Sequence, residues 1–280
     1  MANTIKIGTV GADAIMMGTS SVTKVYVGSE QVYPSGTPPH DYSQDYLTVS
    51  VVSAGTLTFH NSILYYSIDG GDNWIRMNNN TINVNVGDKV LLKGNVSSFN
   101  NISLLSGSTA YFDLEGNVMS ITYNDSFIGQ TTLTSSDGYA RLFQQTNVVN
   151  ANNLILPATT LASGCYSHFF ENCPYLITAP ELPATTMPRW VYSEMFRDCV
   201  SLIKAPDLPA AGFTSYSYNQ MFQGCSSLNY IKCLATSFGG KNNWVLGVSS
   251  TGTFVKHPNA NWTTGNSGIP NGWTVINDGQ

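Results

Sequence analysis

Residues 156–186 read LPATTLASGCYSHFFENCPYLITAPELPATT, and the stretch ends by starting over: Leu156-Pro157-Ala158 returns as Leu182-Pro183-Ala184 and again as Leu208-Pro209-Ala210. The same interval of 26 residues separates Tyr166, Tyr192 and Tyr218, then Phe170, Phe196 and Phe222, then Cys173, Cys199 and Cys225, and finally Leu176, Leu202 and Leu228. A fixed period of roughly 20–29 residues signals a leucine-rich-repeat type of solenoid. One copy cannot bury its apolar face alone, so neighbours must stack, and a stack offers a surface more than a pocket. That favours binding over catalysis.

Within a repeat, Tyr192, Met195, Phe196 and Cys199 fall at i, i+3, i+4 and i+7, and this spacing predicts an amphipathic helix. Pro188 suits the first turn, where a missing N–H costs nothing. Asn172, Asp198 and Gly224 stand just before the ladder cysteines, and these residue types tolerate the left-handed conformation that ends a helix. An extended stretch follows, Ile177-Thr178-Ala179-Pro180, matched by Ile203-Lys204-Ala205-Pro206, whose proline limits it to a short ladder. One helix plus one extended stretch per turn predicts an α/β leucine-rich-repeat solenoid over residues 119–235. A degenerate first copy begins it, with Tyr139 and Phe143 standing 27 residues before Tyr166 and Phe170. The predicted repeat core is Tyr166, Phe170, Cys173, Tyr192, Phe196, Cys199, Tyr218, Phe222 and Cys225. Residues 236–280, carrying Trp244, Trp262 and Trp273, read as the C-terminal cap.

Outward from the repeats, residues 45–118 alternate in the manner of half-buried strands. Leu47, Val49 and Val51 share one face, and Tyr65-Tyr66-Ser67-Ile68 runs into the turn Asp69-Gly70-Gly71. Several short strands with turns every 8–12 residues, roughly, read as a small β-sandwich. Residues 35–44 read as a linker, stiffened by Pro38-Pro39. Residues 1–34 are short strands punctuated by glycine, too small a unit to bury a core alone. They are read as an attachment segment, with Ile5, Ile7, Val25, Tyr26, Val27, Val32 and Tyr33 as its contact residues. The expected fold is therefore mostly β at the N-terminal side, a strand anchor plus a β-sandwich, followed by the solenoid.

Composition narrows the function. Charged residues make up only 10% of the chain while 42% is hydrophobic, so it is charge-poor yet capable of a core. A net charge of −5 without any Lys/Arg cluster speaks against nucleic acid. The opening MANTIKIGTVGADAIMMG reads as neither a secretory signal nor a membrane span. Five cysteines, three at one repeat position, fit a buried apolar ladder better than disulfides or a metal site. His40, His60, His168 and His257 show no ligand spacing, so no metal and no cofactor is expected. Glu181 and Asp207 hold equivalent positions and are read as solvated turn residues, and no nucleophile motif is present, so no catalytic residue is expected. Trp190, Tyr175, Tyr216 and Tyr230 lie off the apolar stripe. Of these, Trp190 and Tyr216 are the candidates for stacking on sugar rings.

The quoted stretch resembles the BspA-type leucine-rich repeats of surface proteins in gut Bacteroidetes and in proteins of their phages. The resemblance extends over residues 150–275, including the closing Gly268-Ile269-Pro270-Asn271-Gly272-Trp273-Thr274-Val275. Tyr65-Tyr66-Ser67-Ile68-Asp69-Gly70-Gly71 and Phe112-Asp113-Leu114-Glu115-Gly116-Asn117-Val118-Met119-Ser120 are similar to the β module that precedes such repeats. Lys24-Val25-Tyr26-Val27-Gly28-Ser29-Glu30-Gln31-Val32-Tyr33-Pro34 looks like the virion-attachment segment of phage fibre and decoration proteins. Together these resemble head fibres of the crAss-like phages of gut Bacteroides. The resemblance implies a non-enzymatic virion structural protein on the capsid exterior. It would be a homo-oligomer, dimer or trimer, bound to capsid or other virion proteins through its N-terminus. Its repeats would be available to host-surface glycans, with no nucleic-acid partner and no membrane insertion. The alternatives are a tail fibre or receptor-binding protein, or a bacterial cell-surface adhesin.

Overall fold

The computed structural model describes residues 40–279, apart from 62, 79, 97–102 and 214–215, together with four strands nearer the N-terminus. Those four pair in twos, Ile15–Met17 with Ser20–Val22 and Val25–Val27 with Glu30–Tyr33, both antiparallel. Residues 1–41 and 42–280 are two separate compact units. The predicted contact residues Val25, Tyr26, Val27, Val32 and Tyr33 lie in the second pair of strands; Ile5 and Ile7 lie outside the described residues.

In the larger unit, a six-stranded sheet runs in the order Asn153–Ile155, Tyr111–Asn117, Leu47–Ser53, Lys89–Lys93, Tyr65–Ser67, Ile75–Arg76. Period-two alternation decides which side each residue takes: Leu47, Val49 and Val51 are buried while Val52 is exposed. A second pair, Gly55–Thr58 with Thr81–Val84, lies beside it in sequence, with Leu57 and Val84 buried. All neighbours in the six-stranded sheet are antiparallel except at one edge, where Asn153–Ile155 joins Tyr111–Asn117 in parallel. That edge is where the repeats begin. From it a parallel ladder continues through Asn150↔Thr178, Lys204↔Tyr230, Tyr230↔Thr253 and Thr253↔Thr274.

The helix expected in each repeat is absent, so the chain is not an α/β leucine-rich-repeat solenoid. It is mostly β, and among the described residues the only α-helix is Ser120–Tyr123, within the 119–235 span but ahead of Tyr139, where the spacing of the first copy begins. Where helices were expected, the backbone reverses hand again and again. Left-handed φ angles occur at Gly164 (75°), Tyr166 (60°), His168 (55°) and Asn172 (56°), and then at Trp190 (66°), Tyr192 (61°), Glu194 (55°) and Asp198 (59°). Asn172, Asp198 and Gly224 do take the left-handed conformation, but as members of this alternation and not as helix ends.

Hydrogen bonding explains why this arrangement displaces a helix. A helix would direct every amide beyond its first turn back into itself, leaving none there for a neighbour. Here the N–H groups of His168, Phe170 and Asn172 donate to the carbonyls of Ser193, Met195 and Arg197 in the following repeat, each at 2.8 Å. Glu194, Phe196 and Asp198 donate likewise to Asn219, Met221 and Gln223 at 2.8, 3.0 and 2.7 Å. Intervening amides close short local turns, as Glu171 does to His168 and Cys199 to Phe196, both at 3.1 Å. A left-handed non-glycine residue costs about 1–2 kcal/mol. An inter-repeat bond, contributing about 0.5–1.5 kcal/mol, and the burial it permits oppose that cost.

These bonds run from each repeat to the next, so both ends of the stack need partners. At the first end the carbonyls of Leu142 and Gln144 accept from Leu104 N–H at 2.8 Å and Ser103 Oγ at 2.6 Å. At the last, Val245 N–H donates to the Asn266 carbonyl at 3.2 Å, and Ser267 Oγ accepts from Asn243 N–H at 3.0 Å. Between these ends the aromatic rings stack. Phe143, Phe170, Phe196 and Phe222 are separated by 6.0, 5.7 and 5.7 Å, and Tyr139, Tyr166, Tyr192 and Tyr218 by 5.8, 5.8 and 6.3 Å. Trp244, 26 residues beyond Tyr218, continues the tyrosine file at 6.4 Å. The nine predicted core residues are all buried. Among the described residues, no helix is long and apolar enough to cross a membrane.

Candidate binding site

Because equivalent positions of successive repeats lie side by side, residues one period apart form rows across the surface. One row runs Asp137, Gly164, Trp190, Tyr216, every member left-handed. The next runs Arg141, His168, Glu194, Gln220, also left-handed throughout. A third runs Gln144, Glu171, Arg197, Gln223. A chain poor in charge thus gathers acids and bases on one face of its repeats.

Most of these charges answer one another. The Glu171 carboxylate accepts from Gln144 Nε2 at 2.5 Å and meets His168 Nδ1 at 2.7 Å, with Arg197 and Arg141 guanidinium nitrogens at 3.6 and 3.7 Å. Glu194 takes Arg197 at 2.7 Å and lies 3.6 Å from His168 Nδ1. Burial alone would raise the Glu171 carboxyl, but the His168 hydrogen bond and charge, Gln144 and Arg197 outweigh it and hold the group below the ordinary carboxylate value. Ligand atoms of His168, Glu171 and Glu194 lie within 4.8 Å of one another. Two guanidinium groups already sit on those carboxylates, which makes the cluster an ion network and a poor cation cage. A carboxylate fixed by this many donors is also badly placed for general acid–base work.

Beside the network is a small pocket of about 230 Å³, lined by Asp137, Arg141, Ser167, His168, Trp190, Ser193 and Glu194. In the first row the Asp137 carboxylate fills the place of the missing side chain at Gly164, where a Cβ would collide with Asp137 Oδ1. Tyr216, from the next repeat, covers one face of Trp190, with ring centroids 4.2 Å apart and planes inclined by 8°. Arg189 is nearly equidistant from the two rings, at 5.4 and 5.5 Å, so it sits beside the stack and not over an outer face. The other face of the indole is therefore the one left to border the pocket. The two predicted sugar-stacking residues are brought together, though Tyr216 acts as a support for Trp190.

On the opposite tack from this polar pocket, a larger groove of about 740 Å³ is lined by Ile177, Ile203 and the prolines of the extended stretches, with Glu181 and Asp207 exposed at its margin. It has an apolar floor and holds no nucleophile–base pair. Tyr175 is 42% exposed and lies edge-on to Tyr111, at 4.7 Å, while Tyr230 is half-buried with Lys204 Nζ 5.1 Å from its ring.

Residue-type repetition does not reveal Asp137, Gly164, His168, Glu171, Glu194 or Arg197, since the residue type changes from one repeat to the next at these positions. Position does. Arg141, His168, Glu194 and Gln220 stand 27, 26 and 26 residues apart, so applying the period to polar residues as well as apolar ones locates the face. No family model, no curated protein and no solved structure is matched by this chain.

Proposed function

We propose that this chain is a non-enzymatic virion structural protein, an oligomeric head fibre or capsid decoration. Residues 1–34 attach it to the particle, and the stacked repeats face outward to make contact with host-surface carbohydrate. The resemblance of its sequence segments to fibre proteins supports the first part. The second rests on one observation, the exposed indole of Trp190 held flat against Tyr216 beside hydrogen-bonding side chains. A supported aromatic face next to donors and acceptors suits the apolar face and hydroxyl rim of a sugar. The absence of enzymatic function is consistent with carboxylates already bound to arginines.

The test has two parts. Particles assembled with a chain lacking residues 1–34 should carry none of it, and imaging of particles labelled at the C-terminus should place the repeats on the outer surface of the head. Label on the tail would favour a tail fibre, and truncated protein that still sediments with particles would remove the attachment role. The purified full chain should be retained on host-surface polysaccharide without releasing product.

A further inference from the structure

We infer that the pocket bordered by Asp137 and Trp190 is a binding site for one uncharged sugar ring, a neutral pyranose seated on the free face of Trp190. The inference deepens the carbohydrate-contact reading above and rests on it.

Size sets the first limit. About 230 Å³ is below the roughly 300–1,000 Å³ of sites for drug-sized ligands, so the pocket accepts one ring and not an oligomer. Unused hydrogen-bonding capacity sets the second. The fold pairs Glu171 and Arg197 with each other and with their neighbours, although Arg197 Nε makes no hydrogen bond among the described residues. Three groups of the pocket are left open. The Asp137 carboxylate has no hydrogen-bond or ion-pair partner among the described residues. His168 uses Nδ1 on Glu171 and leaves Nε2 without one. Arg141 has a single distant ion pair, 3.7 Å from Glu171, and so keeps most of its five donors. Carboxylate, imidazole and guanidinium together accept and donate to neighbouring hydroxyls.

Charge sets the third. The Asp137 carboxylate and the Arg141 guanidinium, held only by its distant pair with Glu171, are of opposite charge, while Glu194 is neutralised by Arg197 at 2.7 Å. The pocket therefore offers no net attraction to a uronic acid or to an amino sugar. What it rewards is a ring with one apolar face for the indole and a rim of hydroxyls, which is a neutral pyranose. The aromatic platform is fixed in advance, because Tyr216 stacks behind Trp190 and leaves little ordering to be done on binding.

The full chain should be titrated with methyl glycosides of neutral hexoses, a uronic acid and an amino sugar, following ligand protons by saturation transfer and affinity by calorimetry. Trp190→Asn and Asp137→Asn keep a residue that tolerates left-handed φ, so the fold is retained, as a melting curve will verify. The expected result is binding of a neutral glycoside, with its ring protons saturated. Trp190→Asn should abolish it, and Asp137→Asn should weaken it at least about tenfold, the scale of one charge-assisted hydrogen bond. Equal binding by folded Trp190→Asn, or preference for the charged sugars, overturns the site. Retention on host polysaccharide that survives Trp190→Asn overturns the site while leaving the carbohydrate reading standing. No retention by the unaltered chain overturns both.

Discussion

The thiol of Cys199 donates to the carbonyl of Phe170, 29 residues earlier, at 3.1 Å, and Cys173 and Cys225 repeat the bond to Phe143 and Phe196 at 3.0 and 2.9 Å. Each ladder cysteine thus ties its own repeat to the one before. Burial raises all three thiols, Cys173 to about 11, and leaves little thiolate at neutral pH. Native protein should therefore resist a thiol reagent at pH 8, and all five cysteines, each buried, should react only on unfolding. Cys199→Ala should destabilise by about 1–3 kcal/mol, because the Phe170 carbonyl loses a donor and a small cavity opens. Rapid titration of native thiols would remove the ladder from the core.

Two tyrosines in one file should respond oppositely to loss of a hydroxyl. Tyr139 shares a 2.7 Å hydrogen bond with Thr122, whereas the hydroxyl of Tyr166 is buried without a partner. Tyr139→Phe should cost about 0.5–1.5 kcal/mol, and Tyr166→Phe should be neutral or stabilising, since it removes an unsatisfied buried group. Thermal unfolding of the two single variants decides this; equal losses would mean that Tyr166 has an unrecognised partner.

The stacking interval is written in the sequence, because packing identical rings on one another demands the same residue at every copy. The sequence pattern does not specify how the backbone between them runs. Tyr192, Met195, Phe196 and Cys199 are all buried, as an amphipathic stripe requires. That stripe has two solutions, a helix or a chain of turns of alternating hand, and periodicity cannot separate them. Residue type hints at the second at Asp137, Gly164, Asn172, Asp198 and Gly224. Tyr166, Trp190 and Glu194 are poor left-handed residues in isolation and take that form only because inter-repeat hydrogen bonds impose it. The candidate site was half legible for a related reason: Trp190 and Tyr216 stand out as aromatics off the stripe, whereas Asp137, Arg141 and His168 are polar residues of differing type that only the stacked backbone brings to one pocket.

A glycine substitution separates the two backbones by sign. Gln145 is exposed, left-handed at φ 58°, and aligned with Gly224 three repeats later. In a helix, Gln145→Gly would destabilise by somewhat under about 1 kcal/mol. In the turns it relieves about 1–2 kcal/mol of left-handed strain against an entropic cost of about 0.5–1 kcal/mol. Unchanged or raised stability in a denaturant titration is therefore expected. A clear loss would restore the helix.

Acid should weaken the repeats through Glu171. Its carboxyl is held below the ordinary value in the folded chain, so at Glu171 the unfolded chain binds a proton more readily than the folded one. The contribution is fully present above the unfolded value, about 4.3, and is lost as pH falls through the lower folded value. Asp125, held down by Lys93 and Tyr46, and Asp69, held to about 2 by Asn73 and Ser67, add to acid sensitivity in the same direction. Comparison with Glu171→Gln isolates the one group, because the amide keeps the side chain's size but not its charge. At pH 7 the variant should melt below the unaltered protein, and the difference should narrow steadily as both are taken below pH about 4. A difference that stays constant across that range would mean that the charge of Glu171, paired or not, contributes nothing to holding the repeats together.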